Sequence, residues 1–180
     1  MIRAVLLSLF IMLVAGCYNP LNRVTADRYG QTCREAEASE RLDVAEEACR
    51  RVLINVRIGH LGSEAESEEL YNFSRIKLQL GKQAEAEELL KESLKIQEEL
   101  SPQNQAKIGR RLTNLAIVFG NLGRFKDAWP YLVRLLAISD QYTGQERIVV
   151  KTLFEKYAGE YEKLGLQSQA AQLSEKAKAL

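Results

Sequence analysis

The sequence predicts an all-α chain arranged as an α-solenoid of about four helical hairpins. Three observations carry this. First, Leu80-Gly81, Leu122-Gly123 and Leu164-Gly165 recur 42 residues apart, and the same shift aligns Ala86 with Ala128 and Ala170, and Leu70 with Leu112 and Phe154. Second, apolar residues inside each period follow helical spacing, as in Leu112, Leu115, Ala116 and Phe119, then Leu132, Leu135 and Leu136. Third, no alternating β-branched run extends beyond a few residues. A fixed period of this length marks a hairpin that cannot bury its apolar face alone and stacks on copies of itself.

The chain opens with Met1-Ile2-Arg3 and an apolar run from Ala4 to Val14. That run is too short for a membrane-spanning helix, which needs about 20 residues, and it suits the apolar region of a secretory signal peptide. It ends in Val14-Ala15-Gly16-Cys17, which resembles the lipobox of bacterial lipoproteins. The resemblance implies a signal peptide over 1–16, cleavage before Cys17, and a covalent lipid on Cys17. With Tyr18 rather than Asp after that Cys, it also implies an outer-membrane address with the body facing the periplasm. Residues 17–23 are expected as the lipidated Cys and a short tether. Whole-chain charge, 25 basic against 24 acidic side chains, leaves no footprint for nucleic acid. Loss of Arg3 with the signal peptide would make the body neutral.

The repeat domain is expected over 24–180, in units of about 24–57, 63–99, 104–140 and 145–179. The first unit is the weakest copy. With a shift of 41, Glu40, Ala45 and Cys49 fall on Gly81, Ala86 and Leu90. Cys33 and Cys49 lie symmetrically about residue 41, so a hairpin turning there would set them opposite each other. An exported chain favours a disulfide between them; two reduced core cysteines are the alternative. Among the later units, Ser63 with Glu66 and Thr143 with Glu146 have capping-box spacing. Ser101-Pro102 offers an N-cap followed by Pro, and Gly after Leu suits a helix C-terminus.

These residues together resemble the tetratricopeptide repeat. Leu112, Leu115 and Ala116 match the first helix of the unit, Gly123 its turn, and Ala128, Leu132 and Leu135 its second helix. The 42-residue spacing and Asp127-Ala128-Trp129-Pro130 are similar to the kinesin-light-chain variety. Lys77 and Ser174 depart from the pattern, which expects an aromatic residue at the first and a large apolar residue at the second. The resemblance implies a right-handed solenoid whose first helices line a concave, partner-binding groove. Transferred to this chain, it places Tyr71, Asn72, Arg75, Arg110, Thr113, Asn114 and Ile117 on that groove, with Glu68, Gln79, Glu155, Lys156 and Lys163 on the same faces.

No nucleotide loop, catalytic triad or metal spacing is visible. No catalytic residue, metal or cofactor is expected apart from the lipid on Cys17, and no small-molecule substrate. His60 reads as a loop residue, and Glu85, Glu87 and Glu88 as a solvated face. Gln167–Leu180, polar and Ala-rich, reads as a capping helix. The expected function is a membrane-anchored scaffold or adaptor binding an envelope protein or peptide, in envelope assembly, secretion or pilus biogenesis. A structural subunit using convex or end surfaces is the alternative; an envelope hydrolase has the least support.

Overall fold

The computed structural model describes residues 20–180; the segment 1–16 expected as a signal peptide, and Cys17, Tyr18 and Asn19, lie outside them. The described residues form eight α-helices and no strand. They are α1 (Pro20–Ala38), α2 (Leu42–Ile58), α3 (Ser63–Gln79), α4 (Gln83–Glu99), α5 (Gln105–Asn121), α6 (Trp129–Ile138), α7 (Gly144–Lys163) and α8 (Gln167–Ala179). Two 3₁₀ turns, Phe125–Ala128 and Ser139–Gln141, flank α6. Helix α1 begins at Pro20, so part of the stretch expected as tether is helical. Proline suits a first helical position, where its missing N–H costs nothing. None of the described helices is long and apolar enough to cross a membrane. The span expected as one repeat domain divides by contact density into two compact units, parting after Leu80.

The turns explain the period. Gly81, Gly123 and Gly165 all take left-handed φ, 72°, 68° and 73°. The backbone N–H of the next residue closes the helix end, as where Arg124 N donates to Phe119 O at 2.8 Å and Leu166 N to Tyr161 O at 2.8 Å. The first hairpin makes the same turn without glycine: Glu40 sits at φ 56°, and Arg41 N donates to Ala36 O at 2.9 Å. His60 has a similar role at the end of α2, at φ 48°, with Leu61 N donating to Val56 O at 3.0 Å.

Helix starts differ from the expected caps. Asn104 caps α5, its side chain accepting from Lys107 N at 3.1 Å, whereas Ser101-Pro102 lies in the bend before it. Gly62 and Thr143 precede α3 and α7 without a side-chain cap bond.

In the first unit, α1 and α2 pack Ala26, Cys33 and Ala36 against Ala45, Ala48, Cys49 and Val52, all buried. Cys33 and Cys49 form a disulfide across this hairpin, with Cα atoms 5.3 Å apart. Lys77, where the repeat pattern expects an apolar residue, is buried with its ammonium 2.5 Å from Glu46 Oε1 and 4.9 Å from the Phe73 ring centre. The long apolar stem fills the space while the charge is paired.

In the second unit, α4 and α5 bury Leu90, Leu94, Leu112, Leu115 and Phe119. Glu87, expected on a solvated face, is buried here between Arg124 at 2.7 Å and Lys91 at 2.6 Å. Both cations also lie against the Phe119 ring, at 4.8 and 6.0 Å. Arg111 is buried as well, its Nε donating to Ser93 Oγ at 2.7 Å and an Nη to the Lys107 carbonyl at 2.9 Å.

Candidate functional site

The second unit contains an apolar groove of about 340 Å³ between α5 and α7. Helix α5 contributes Ala116 and Ile117. Helix α7 contributes Gln145, Ile148, Val149, Thr152, Leu153, Lys156 and Tyr157. Helical geometry explains why α7 has residues to spare. Val150, Phe154, Tyr157 and Tyr161 form the stripe that is buried in the core. Gln145, Ile148, Val149, Thr152 and Lys156, spaced by three and four, form a second stripe beside it. Ile148 is 57% exposed and Val149 39%, although both are large aliphatics. Lys156 is exposed at the groove, and no carboxylate lines it.

The wall of the groove is stiff. Tyr157 donates its hydroxyl to the Ala116 carbonyl at 2.6 Å, and Tyr161 donates to Phe125 O at 2.9 Å. Burial pushes both hydroxyls above the usual tyrosine range. At Tyr157, repulsion from the neighbouring Tyr161 when ionised adds to this, and the Gly120 backbone opposes it. Beyond the groove, Arg110 Nε pairs with Glu146 Oε1 at 2.9 Å, tying α5 to the start of α7. Tyr142 packs below that pair, and its hydroxyl is pushed up to about 12, first by burial, then by Glu146, with Arg110 opposing.

The residues expected on the groove have different fates. Ile117 lines the groove, and so does Lys156. Asn114 is half-buried on α5. Thr113 is buried and returns its hydroxyl to the Gly109 carbonyl at 2.9 Å, so it offers nothing to a partner. Arg110 is occupied by Glu146. Glu155 is exposed outside the groove lining, and Lys163 pairs with Glu160 at 2.8 Å.

In the first unit, Arg75 pairs with Glu37 at 2.6 Å, and Gln79 donates to the same carboxylate at 2.7 Å. Asn72 is bonded to Glu69 on its own helix, and the Glu69 carboxyl is raised chiefly by burial. Tyr71 is half-buried. The two arginines expected on the groove, Arg75 and Arg110, thus hold carboxylates of neighbouring helices.

Ile148, Val149 and Thr152 were not singled out by the repeat pattern. The signal for them is Ile148-Val149-Val150, which supplies more apolar surface than one core-facing stripe of α7 requires. Among the described residues, no group of three or more His, Cys, Asp or Glu side chains is arranged to hold a metal ion.

No protein-family model and no curated protein matches the chain. Solved structures do. A crystal structure of kinesin light chain nearly identical TPR-like repeats from Podosopora anserina is similar over 86% of this chain and 74% of its own, at 21% identity and a TM-score of 0.64. MamA is similar over 86% of this chain and 77% of its own, at 13% identity and the same score. BtubC (BKLC) from P. vanneervenii is similar over 89% of this chain and 74% of its own, at 16% identity and a TM-score of 0.56. The chain has the all-α, tetratricopeptide-like solenoid fold.

Proposed function

We propose that this chain is a lipid-anchored adaptor of the bacterial envelope that holds a protein or peptide segment in the groove between α5 and α7. The observation that carries the reading is the groove itself, with two exposed aliphatics, a lysine and no carboxylate along its lining. Such a lining suits a segment presenting an aliphatic side chain beside an acidic group. A single buried aliphatic side chain contributes about 1.5–3 kcal/mol before the costs of association. The role is binding rather than catalysis, in keeping with solenoid folds that act through extended surfaces.

The cellular setting rests on the sequence Val14-Ala15-Gly16-Cys17, read as a lipidation signal with Cys17 acylated. Its implied address is the outer membrane, facing the periplasm. The Cys33–Cys49 disulfide suits an oxidising compartment. Envelope assembly, secretion and pilus biogenesis are the processes that such an adaptor would serve.

Crosslinking pulldown from envelopes tests the groove. Ile148→Asp and Lys156→Glu change exposed side chains and should lose the partner while leaving the thermal midpoint unchanged. Asn72→Ala should retain it. A partner list unaffected by Ile148→Asp and Lys156→Glu refutes the groove and favours a structural subunit working through other surfaces.

A further inference from the structure

We infer that the outer face of the first hairpin, at its Cys17-proximal end, rests on an anionic phospholipid surface and sets the orientation of the body on the membrane. The inference rests on the lipid-anchor reading and adds a second contact to it. Four large aliphatics stand exposed at that end: Leu21 (74%) and Val24 (51%) on α1, and Ile54 (38%) and Ile58 (66%) on α2. The two helix ends adjoin there, since Asn22 packs directly on Gly59, and Arg51 donates to Tyr29 Oη at 2.6 Å about two turns further along.

Charge is polarised along the same hairpin. Residues 20–29 and 50–60 carry Arg23, Arg28, Arg50, Arg51 and Arg57 against Asp27 alone. Residues 30–49 carry Glu35, Glu37, Glu40, Asp43, Glu46 and Glu47 against Arg34 and Arg41. Near-neutrality of the whole chain conceals this separation. Glu47 holds Arg50 and Arg51, and Glu66 of α3 holds Arg57, while Arg28 stands exposed between Leu21, Val24 and Thr32 on the outer side of α1. That side is turned away from α3, which α1 meets through Ala26 and Glu37. Of the carboxylates opening α3, Glu66 is held by Arg57, and Glu69 is half-buried and bonded to Asn72.

Aliphatics interleaved with an exposed arginine make an interfacial surface: the apolar tips enter the headgroup boundary, and the Arg28 guanidinium pairs with lipid phosphates. The occupant is lipid because of where the chain leads. Only Tyr18 and Asn19 separate Cys17 from Pro20, so the acylated residue lies within about 11 Å of α1 even if that stretch is fully extended. The acidic turn at Ser39–Arg41 stands about 28 Å further along α1.

The test uses the chain in vesicles of phosphatidylethanolamine and phosphatidylglycerol. An environment-sensitive dye is attached at Leu21→Cys, at Ile58→Cys or, as the control, at Ser39→Cys. Flotation reports the anchor. Probes at 21 and 58 should shift to the blue and be quenched by lipids carrying a nitroxide on the acyl chain; the probe at 39 should do neither. Raised salt should weaken the shift. Floating vesicles whose probes at 21 and 58 behave like the probe at 39 overturn this inference and leave the anchor standing. Loss of flotation overturns the anchor and this inference with it. A blue shift without vesicles that grows with protein concentration puts a second copy on the face, and also overturns it.

Discussion

Gly109 in α5 distinguishes local propensity from packing. A glycine inside a helix is worth up to about 1 kcal/mol when changed to alanine, because alanine loses less backbone freedom on folding. On that ground Gly109→Ala should stabilise the protein. The structure predicts the reverse. A Cβ on Gly109 would overlap the Tyr142 hydroxyl, stand 2.7 Å from the ring carbon bearing it, and reach 3.2 Å from Ile138 Cδ1. Tyr142 is only 5% exposed, so its ring can move aside only by displacing its neighbours. Overpacking of this kind costs about 1–3 kcal/mol, which exceeds the propensity gain and leaves a net loss of about 1 kcal/mol. That corresponds to a midpoint lower by about 2–4 °C for a chain of this size. Gly159 in α7 is the control, since a Cβ there meets nothing within 4 Å, and Gly159→Ala should raise stability by about 0.5–1 kcal/mol. The Tyr142 hydroxyl has no hydrogen-bond partner among the described residues. Tyr142→Phe should therefore be neutral or mildly stabilising alone, and it should restore much of the loss in the double variant. Thermal and urea unfolding followed by circular dichroism measures all four proteins. Gly109→Ala stabilising the fold as Gly159→Ala does, with no coupling to Tyr142→Phe, would refute the packing argument.

Three further predictions follow from the same geometry. Glu40→Gly removes a left-handed, non-glycine turn residue and should stabilise the first hairpin by about 1 kcal/mol in urea titration, whereas Gly123→Ala at the matching turn should cost about as much. Reducing Cys33–Cys49 opens a loop of sequence separation 16 and should cost about 3 kcal/mol in the chain-entropy model, read from unfolding with and without reductant. The hydroxyls of Tyr142 and Tyr161 are raised to about 12 from an ordinary 10.0, and Tyr157 is raised too. The unfolded chain loses these protons first, so stability should be level below about pH 10 and decline as pH rises toward about 12. Ultraviolet titration of the native protein should show these tyrosines ionising late.

Much of the fold was legible because it depends on local chemistry repeated at a fixed interval. Gly81, Gly123 and Gly165 are the left-handed turn itself, so their spacing in sequence marks where the chain reverses between helices. Glu40 shows the limit: the turn persists without its glycine, and only the alignment with Gly81 pointed to it. The helix starts were less legible, because a capping box is a short pattern that many serines and threonines satisfy. Asn104 caps α5, whereas Ser101 merely resembles a cap.

The candidate site was legible only where the repeat pattern and the exposed surface coincide, at Ile117 and Lys156. Elsewhere the pattern could assign a face but not a partner. Arg75 and Arg110 lie on first helices of their units, as expected, yet their charges are answered by Glu37 and Glu146, 38 and 36 residues away in sequence. Those carboxylates belong to neighbouring hairpins, and nothing in a single unit announces them. Both pairs are substantially exposed, so each adds only about 0.2–1 kcal/mol. Their larger effect is to remove two arginines from the set available to bind a partner. Ile148 and Val149 present the opposite case. They lie one stripe away from the buried face of α7, where the repeat pattern places no demand and burial provides no shelter. Two β-branched aliphatics at such positions contribute little to the core, and the proposed groove gives them a use that packing does not.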